Sequence, residues 1–293
     1  DEIDALVIDL RNNGGGHLTE ATALTGLFID NGPVVQLRNA NGRISRLDDP
    51  DPVPRSAYNG PLIVLVNRYS ASASEIFAAA IQDYERGVVV GQQTYGKGTV
   101  QNLYVLDQYV RRNQDELGQL TLTIGKYYRV TGESTQNRGV IPDIELPSYI
   151  DIDNTGESSR DTALPWDKIK PSRYKKNQPM EDSINQLKEL HTERRKTDPE
   201  LIFLLRDIEE SSQYRKQTTV SLNLNKRISE REAREERKEA IDKIRIKADN
   251  NDVAEEENEN RDISLNETAA IATDLVKLNN SDSKSNQIAK RVE

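Results

Sequence analysis

Cysteine is absent from this 293-residue chain, and histidine occurs only twice, at His17 and His191. With no thiolate, two distant imidazoles and no clustered ligand spacing, the sequence argues against a zinc or iron site, and no metal or other cofactor is expected. Positive charge is in deficit as well, since 40 Lys and Arg stand against 49 Asp and Glu for a net charge of −9. Nucleic-acid binding, whose signature is clustered positive charge, is therefore not expected. No run is apolar for long enough to span a bilayer, and no internal repeat is present. The missing cysteine is compatible with an oxidising compartment without demonstrating one. No signal peptide is visible, yet the first residues run straight into a buried-looking strand, so the chain reads as cut from a longer protein.

Against these absences stands a cluster of hydroxyls at one junction. The apolar run Leu62 to Val66 gives way to the helix-like run Ile76 to Ile81, so Ser70, Ser72 and Ser74 fall where a strand passes into a helix. Ser72-x-x-Glu75 is a capping-box pattern, and Ser72 read alone is an ordinary N-cap. The same place lies at the positive end of a helix, where unpaired backbone N–H groups can stabilise a developing oxyanion. Lys97 read alone is a solvated surface charge. Residues Gly91 to Lys97 match the opening of a phosphate-binding loop, but the match then fails. Gly98 stands where a Ser or Thr hydroxyl is needed, and Thr99 to Leu106 reads as strand where a helix is required.

A lysine near a serine has a different use. It can take the serine proton if it is neutral, which demands burial or nearby positive charge, and arginine cannot do the same. A Ser-His-Asp triad is the competing arrangement. His17 abuts a glycine turn and could approach Ser72, but it reads as structural or exposed. His191 lies in a polar run and is given no role.

The glycine turn is the stretch Asp9 to Gly16, which follows the apolar run Ile3 to Leu10 and precedes the helical run Leu18 to Ile29. It falls at the carboxyl end of a strand, the edge at which α/β sheets build their sites. This turn, Ser72-Ala73-Ser74-Glu75, the stretch Gly96 to Gln101 and Gly139-Val140-Ile141-Pro142-Asp143 together resemble the carboxy-terminal processing peptidases, also called tail-specific proteases (peptidase family S41). Order and spacing both agree, with Lys97 lying 25 residues after Ser72 and Gln101 four after Lys97. The resemblance continues less sharply through Ala163 to Asp167 and Val220 to Asn223, which look like the extra carboxy-terminal region of the periplasmic Gram-negative members.

The resemblance implies a serine endopeptidase. Ser72 would be the nucleophile, Lys97 the general base and Gln101 the residue that orients Lys97. Backbone N–H groups of Gly15, Gly16 and Ala73 would form the oxyanion hole. Asp83 matches an acidic position proposed as a third member in some relatives, against the alternative of a structural helix carboxylate. The substrates implied are proteins with apolar carboxy-terminal tails, including cell-wall hydrolases presented by a periplasmic lipoprotein adaptor. Contact with the membrane would be indirect, through that adaptor. A PDZ domain that captures tails by strand addition would lie in a missing amino-terminal part. A reading of another class is a catalytically silent scaffold whose helical region binds a partner.

Texture along the chain predicts an α/β fold, implied by the resemblance to be a crotonase/ClpP-like core, over residues 1–147. A polar, turn-rich connection is expected at 148–160 and a mainly helical region at 161–293. Helical spacing of apolar residues is visible at Ile184, Leu187 and Leu190, at Leu201, Leu204, Leu205 and Ile208, and at Ile271, Leu275 and Leu278. The charge-rich stretch Arg231 to Lys247 reads as an exposed helix, and the stretch near 252–262 as an acidic loop.

Overall fold

Leu62, Ile63, Val64, Leu65 and Val66 are each at most 1% exposed. Five consecutive apolar residues can be buried together only in a strand covered on both faces. That strand, β4 (Leu62–Val66), lies inside a four-stranded parallel sheet of order β1-β4-β5-β8, with β1 (Leu6–Asp9), β5 (Val88–Gly91) and β8 (Ile144–Glu145). The structure is a computed structural model and describes residues 3–51, 55–109, 117–233, 235–236 and 262–289.

The two faces of β4 are covered by different parts of the chain. Leu62, Val64 and Val66 pack with Phe77, Ala78 and Ile81 of α2 (Ala73–Asp83). Ile63 and Leu65 pack with Leu187 of α3 (Glu181–Thr197) and with Ile271, Ala272 and Leu275 of a late helix, α5 (Ile263–Ala289). The helical carboxy-terminal region therefore supplies the second cover of the sheet. Between α3 and α5 runs α4 (Pro199–Lys216), which starts where Asp198 caps the N–H groups of Glu200 and Leu201 and Pro199 takes the first helical position.

A second, antiparallel sheet has the order β3-β2-β7-β6, from β2 (Pro33–Asn39), β3 (Ile44–Asp48), β6 (Thr99–Val105) and β7 (Gln119–Tyr128). Helix α2 is wedged between the sheets, with Ile76 and Ala80 turned to Val34, Val35 and Tyr127. Nine of its 11 residues are buried, as a helix with sheets on two sides requires. The shorter α1 (Leu18–Gly26) lies alongside it.

The mixed α/β architecture with a helical carboxy-terminal region agrees with the sequence expectation. Two details differ. Leu190 points outward at 41% exposure while Leu187 and His191 face inward, because α3 meets α5 through a polar contact as well as an apolar one. The His191 Nδ1 lies 2.7 Å from Glu267 Oε1, and Arg194 bridges Glu267 and Asp274. The polar stretch 151–160 is also tied down, since the fully buried Arg68 donates to the carbonyls of Ile152 and Thr155 at 3.0 and 2.6 Å. Most of the charge-rich stretch 231–247 and nearly all of the acidic stretch near 252–262 lie outside the described residues.

Candidate active site

Three serines enter α2, and their surroundings separate them. Ser70 is fully buried and donates its hydroxyl proton to the Leu10 carbonyl at 2.7 Å, and Ser74 donates to the Asn13 carbonyl at 3.1 Å. Both hold the glycine turn against the serine turn. Ser72, between them, is half-buried and donates its hydroxyl to no acceptor among the described residues. Its backbone has φ 57° and ψ −114°, whereas an ordinary N-cap is extended. A non-glycine residue in this region is strained by about 1–3 kcal/mol and persists only where its surroundings enforce it. The sharp strand-to-helix turn with a strained serine is the geometry that presents a nucleophile in other hydrolases.

The glycine turn lies directly behind it. Gly15 has φ 99°, and a Cβ there would sit 2.8 Å from Ser72 Cβ and 2.7 Å from the Ala71 carbonyl oxygen, so only glycine allows this approach. The N–H of Gly15 is occupied, donating to Asn13 Oδ1 at 2.9 Å. Among the described residues, the N–H groups of Gly16 and Ala73 make no hydrogen bond. Of the three expected oxyanion donors, these two are uncommitted.

Lys97 is brought to the same place by two buried side chains. The Glu75 carboxylate, fully buried on the first turn of α2, accepts the Ser72 N–H at 2.8 Å and the Lys97 N–H at 3.0 Å on the same oxygen. Two nitrogens sharing one acceptor at these distances lie within about 6 Å of each other. Its other oxygen accepts the Gly96 N–H at 2.7 Å and the Thr94 hydroxyl at 2.6 Å. Thr94 in turn accepts the Val140 N–H at 2.7 Å, which accounts for the Gly139-Val140 motif. Burial pushes the Glu75 carboxyl up to about 7, against the opposing pull of these hydrogen bonds. The buried Tyr127 hydroxyl donates to the Lys97 carbonyl and lies 3.2 Å from the Ser72 carbonyl. The backbones of residues 72 and 97 are thus joined on their N–H side by Glu75 and on their C=O side by Tyr127. Lys97 is half-buried and forms no ion pair among the described residues.

Other expected residues are placed elsewhere. Asp83 closes α2 at the far end, roughly 16 Å from Ser72 at 1.5 Å per residue, and its buried carboxylate is paired with the Arg129 guanidinium at 2.5 Å. A role for Asp83 as a third member of the pair finds no contact in this geometry, and its burial among Arg129 and Gln82 is that of a structural ion pair. Gln101 is exposed on β6, just after a β-bulge between Val100 and Gln101, and makes no hydrogen bond to Lys97. His17 is exposed at the start of α1, with no capping bond. Tyr127 was not singled out by sequence, because nothing in its strand marks one tyrosine from the next. Glu75 was visible only as half of a capping box.

Comparison with known proteins places the chain in a family. The peptidase family S41 profile matches residues 1–146, and a profile described as the C-terminal domain of tail specific protease (DUF3340) matches residues 150–277. The tail-specific protease of Haemophilus influenzae is 43% identical over 97% of this chain and 42% of its own length. The carboxy-terminal-processing protease of Bartonella bacilliformis is 39% identical over 49% of this chain and 31% of its own length. Among solved structures, a photosystem II D1 C-terminal processing protease is similar at 32% identity over 55% of this chain and 40% of that one, with a TM-score of 0.42. The chain spans less than half the length of these relatives. With an S41 core followed without a long gap by the tail-specific C-terminal domain, this chain belongs to peptidase family S41.

Proposed function

We propose that the protein containing this chain is a serine endopeptidase that works through Ser72 and Lys97. The observation that carries the reading is the double tie between residues 72 and 97, through Glu75 and Tyr127, around a serine held at positive φ. Lys97, as the neutral amine, takes the Ser72 proton while Oγ attacks the scissile carbonyl. The Gly16 and Ala73 N–H groups receive the negative charge on the carbonyl oxygen, in the role of an oxyanion hole. The Lys97 ammonium then gives its proton to the leaving amine as the C–N bond breaks. A water, deprotonated by the same amine, releases the acyl group from Ser72. Gln101, re-aimed by the bulge before it, serves to orient the lysine once substrate is bound.

The substrates proposed are proteins with apolar carboxy-terminal tails, cell-wall hydrolases among them, handled in a Gram-negative periplasm with a lipoprotein adaptor. That the relatives are a tail-specific protease and a carboxy-terminal-processing protease supports recognition of carboxy-terminal tails. In the intact protein, Lys97→Arg is expected to keep fold and substrate binding and to lower turnover by at least ~10²- to 10⁴-fold, because charge is retained and the base is lost. Turnover of a tail-bearing peptide, measured beside thermal unfolding, checks this, and near wild-type turnover in Lys97→Arg would overturn the assignment.

A further inference from the structure

Arg11, in the glycine turn just after β1, is held from two directions. Its own strand supplies Asp9, which accepts from Nε at 3.0 Å and from Nη2 at 2.6 Å. From 251 residues away, Asp262 accepts from Nη1 at 2.8 Å and from Nη2 at 2.5 Å. The planar guanidinium is thus gripped along two edges by two carboxylates, a geometry that fixes its plane as well as its position. Hydrogen bonding to Asp262 first, and then to Asp9, holds the guanidinium firmly protonated, and the same contact with Arg11 lowers the Asp262 carboxyl.

Asp262 is not a passive surface charge. It caps α5, accepting the Leu265 N–H at 3.0 Å on its side chain and the Asn266 N–H at 2.9 Å on its backbone. Helix α5 is in turn pinned to the parallel sheet through Ile271, Ala272 and Leu275. On the other side, Arg11 leads directly into Asn12 and Asn13. The Asn12 N–H is held by Asn67 Oδ1 at 3.0 Å, and the Asn13 carbonyl accepts from both the Ala71 N–H and the Ser74 hydroxyl. Gly15 and Gly16 follow at once. The chain of fixed contacts therefore runs from α5 through Asp262 and Arg11 to the turn that carries an oxyanion donor.

We infer that Asp262 is a positioning residue for the reaction, setting the Asn12–Gly16 turn through Arg11, so that the helical carboxy-terminal region helps to align the site in the core. This rests on the peptidase reading above. A donor displaced by a fraction of an ångström stabilises the transition state less without changing how the rest of the substrate binds, so the loss falls on kcat and leaves KM alone. Both carboxylates are more than a third exposed, at 38% for Asp9 and 39% for Asp262. Breaking the contact with Arg11 should therefore cost little stability, whereas a change that also removes the cap on α5 costs some.

The test uses the intact protein with Asp262→Ala, Asp262→Asn and the conservative Asp262→Glu. Steady-state kinetics on a tail-bearing peptide, thermal unfolding and amide hydrogen exchange over residues 9–16 are measured for each. The expected result for Ala and Asn is a kcat lowered about tenfold, KM within about twofold and faster exchange at 9–16, with Glu recovering part of the loss. The unfolding midpoint is unchanged in Asn, which keeps the cap on α5, and modestly lowered in Ala, which removes it. Wild-type kcat and unchanged exchange in Asp262→Ala would overturn the inference. So would a fall in kcat matched by an equal fall in folded fraction, which is what a merely structural role gives. An intact wild-type protein that cleaves no peptide would overturn the peptidase reading itself, and exchange at 9–16 would still report whether Asp262 holds the turn.

Discussion

At the scale of single residues, Glu75 couples proton binding to the geometry that ties residue 72 to residue 97. Burial raises its carboxyl from 4.5 to about 7. Between these values the folded protein binds the proton more tightly than the unfolded chain does. Its stabilising contribution is therefore full below about pH 4.5 and is lost as pH rises to about 7. Activity follows the opposite sense, because a proton on Glu75 would place an O–H among four donors and loosen the tie between residues 72 and 97. Turnover is expected to fall as pH drops through about 7. Glu75→Gln should remove that limb and lower turnover by about 10²-fold or more, since an amide cannot accept on both sides and leaves buried donors unpaired at about 1–3 kcal/mol each. A pH–rate profile of Glu75→Gln that kept the wild-type limb and rate would refute this. Tyr127→Phe keeps the ring in its packing and removes one hydroxyl. It is expected to cost about 1 kcal/mol in denaturant unfolding and about tenfold in kcat, with KM unchanged.

Elements make their own demands, and α5 makes the clearest. Ile271 is fully buried and Leu275 1% exposed, both against the sheet. Leu275→Ala is expected to destabilise by about 2–5 kcal/mol in equilibrium unfolding, as a truncation in a packed core does, and a loss below about 1 kcal/mol would show that the face is not closed. This covering role was not legible beforehand. The apolar spacing of Ile271, Leu275 and Leu278 announces a helix with a buried stripe, but periodicity cannot say which surface the stripe meets. The runs Leu62 to Val66 and Ile76 to Ile81 were legible as strand and helix because each is buried almost whole, so no polar residue interrupts the signal. Ser72 and Lys97 were singled out by a spacing, and the backbone turns that carry them are joined through Glu75 and Tyr127. For Asp83, distance along the sequence says nothing of the eleven rises of helix that carry it away from Ser72 toward Arg129, and its pairing there fits the structural alternative. Tyr127 and Arg68 act through hydrogen bonds to backbone groups far along the chain, and such partners leave no local pattern.

Taken whole, the molecule closes its core by folding its last described helix back onto strands formed near its beginning, with Arg11 and Asp262 meeting at the edge of the site. A version ending at residue 261 would bare Ile63, Leu65 and Leu187 and is expected to bind apolar dyes and lose cooperative unfolding. Recovery of a cooperative, dye-silent protein would contradict that account. The central claim is that Ser72 is a nucleophile activated by Lys97, and covalent labelling reads both residues at once. The intact protein is exposed to a fluorophosphonate, and the modified residue and its rate of modification are found by mass spectrometry. One adduct is predicted, on Ser72, absent from Ser72→Ala and formed at least ~10²-fold more slowly in Lys97→Arg. An adduct on Ser70 or Ser74, or labelling of Lys97→Arg at the wild-type rate, would contradict it.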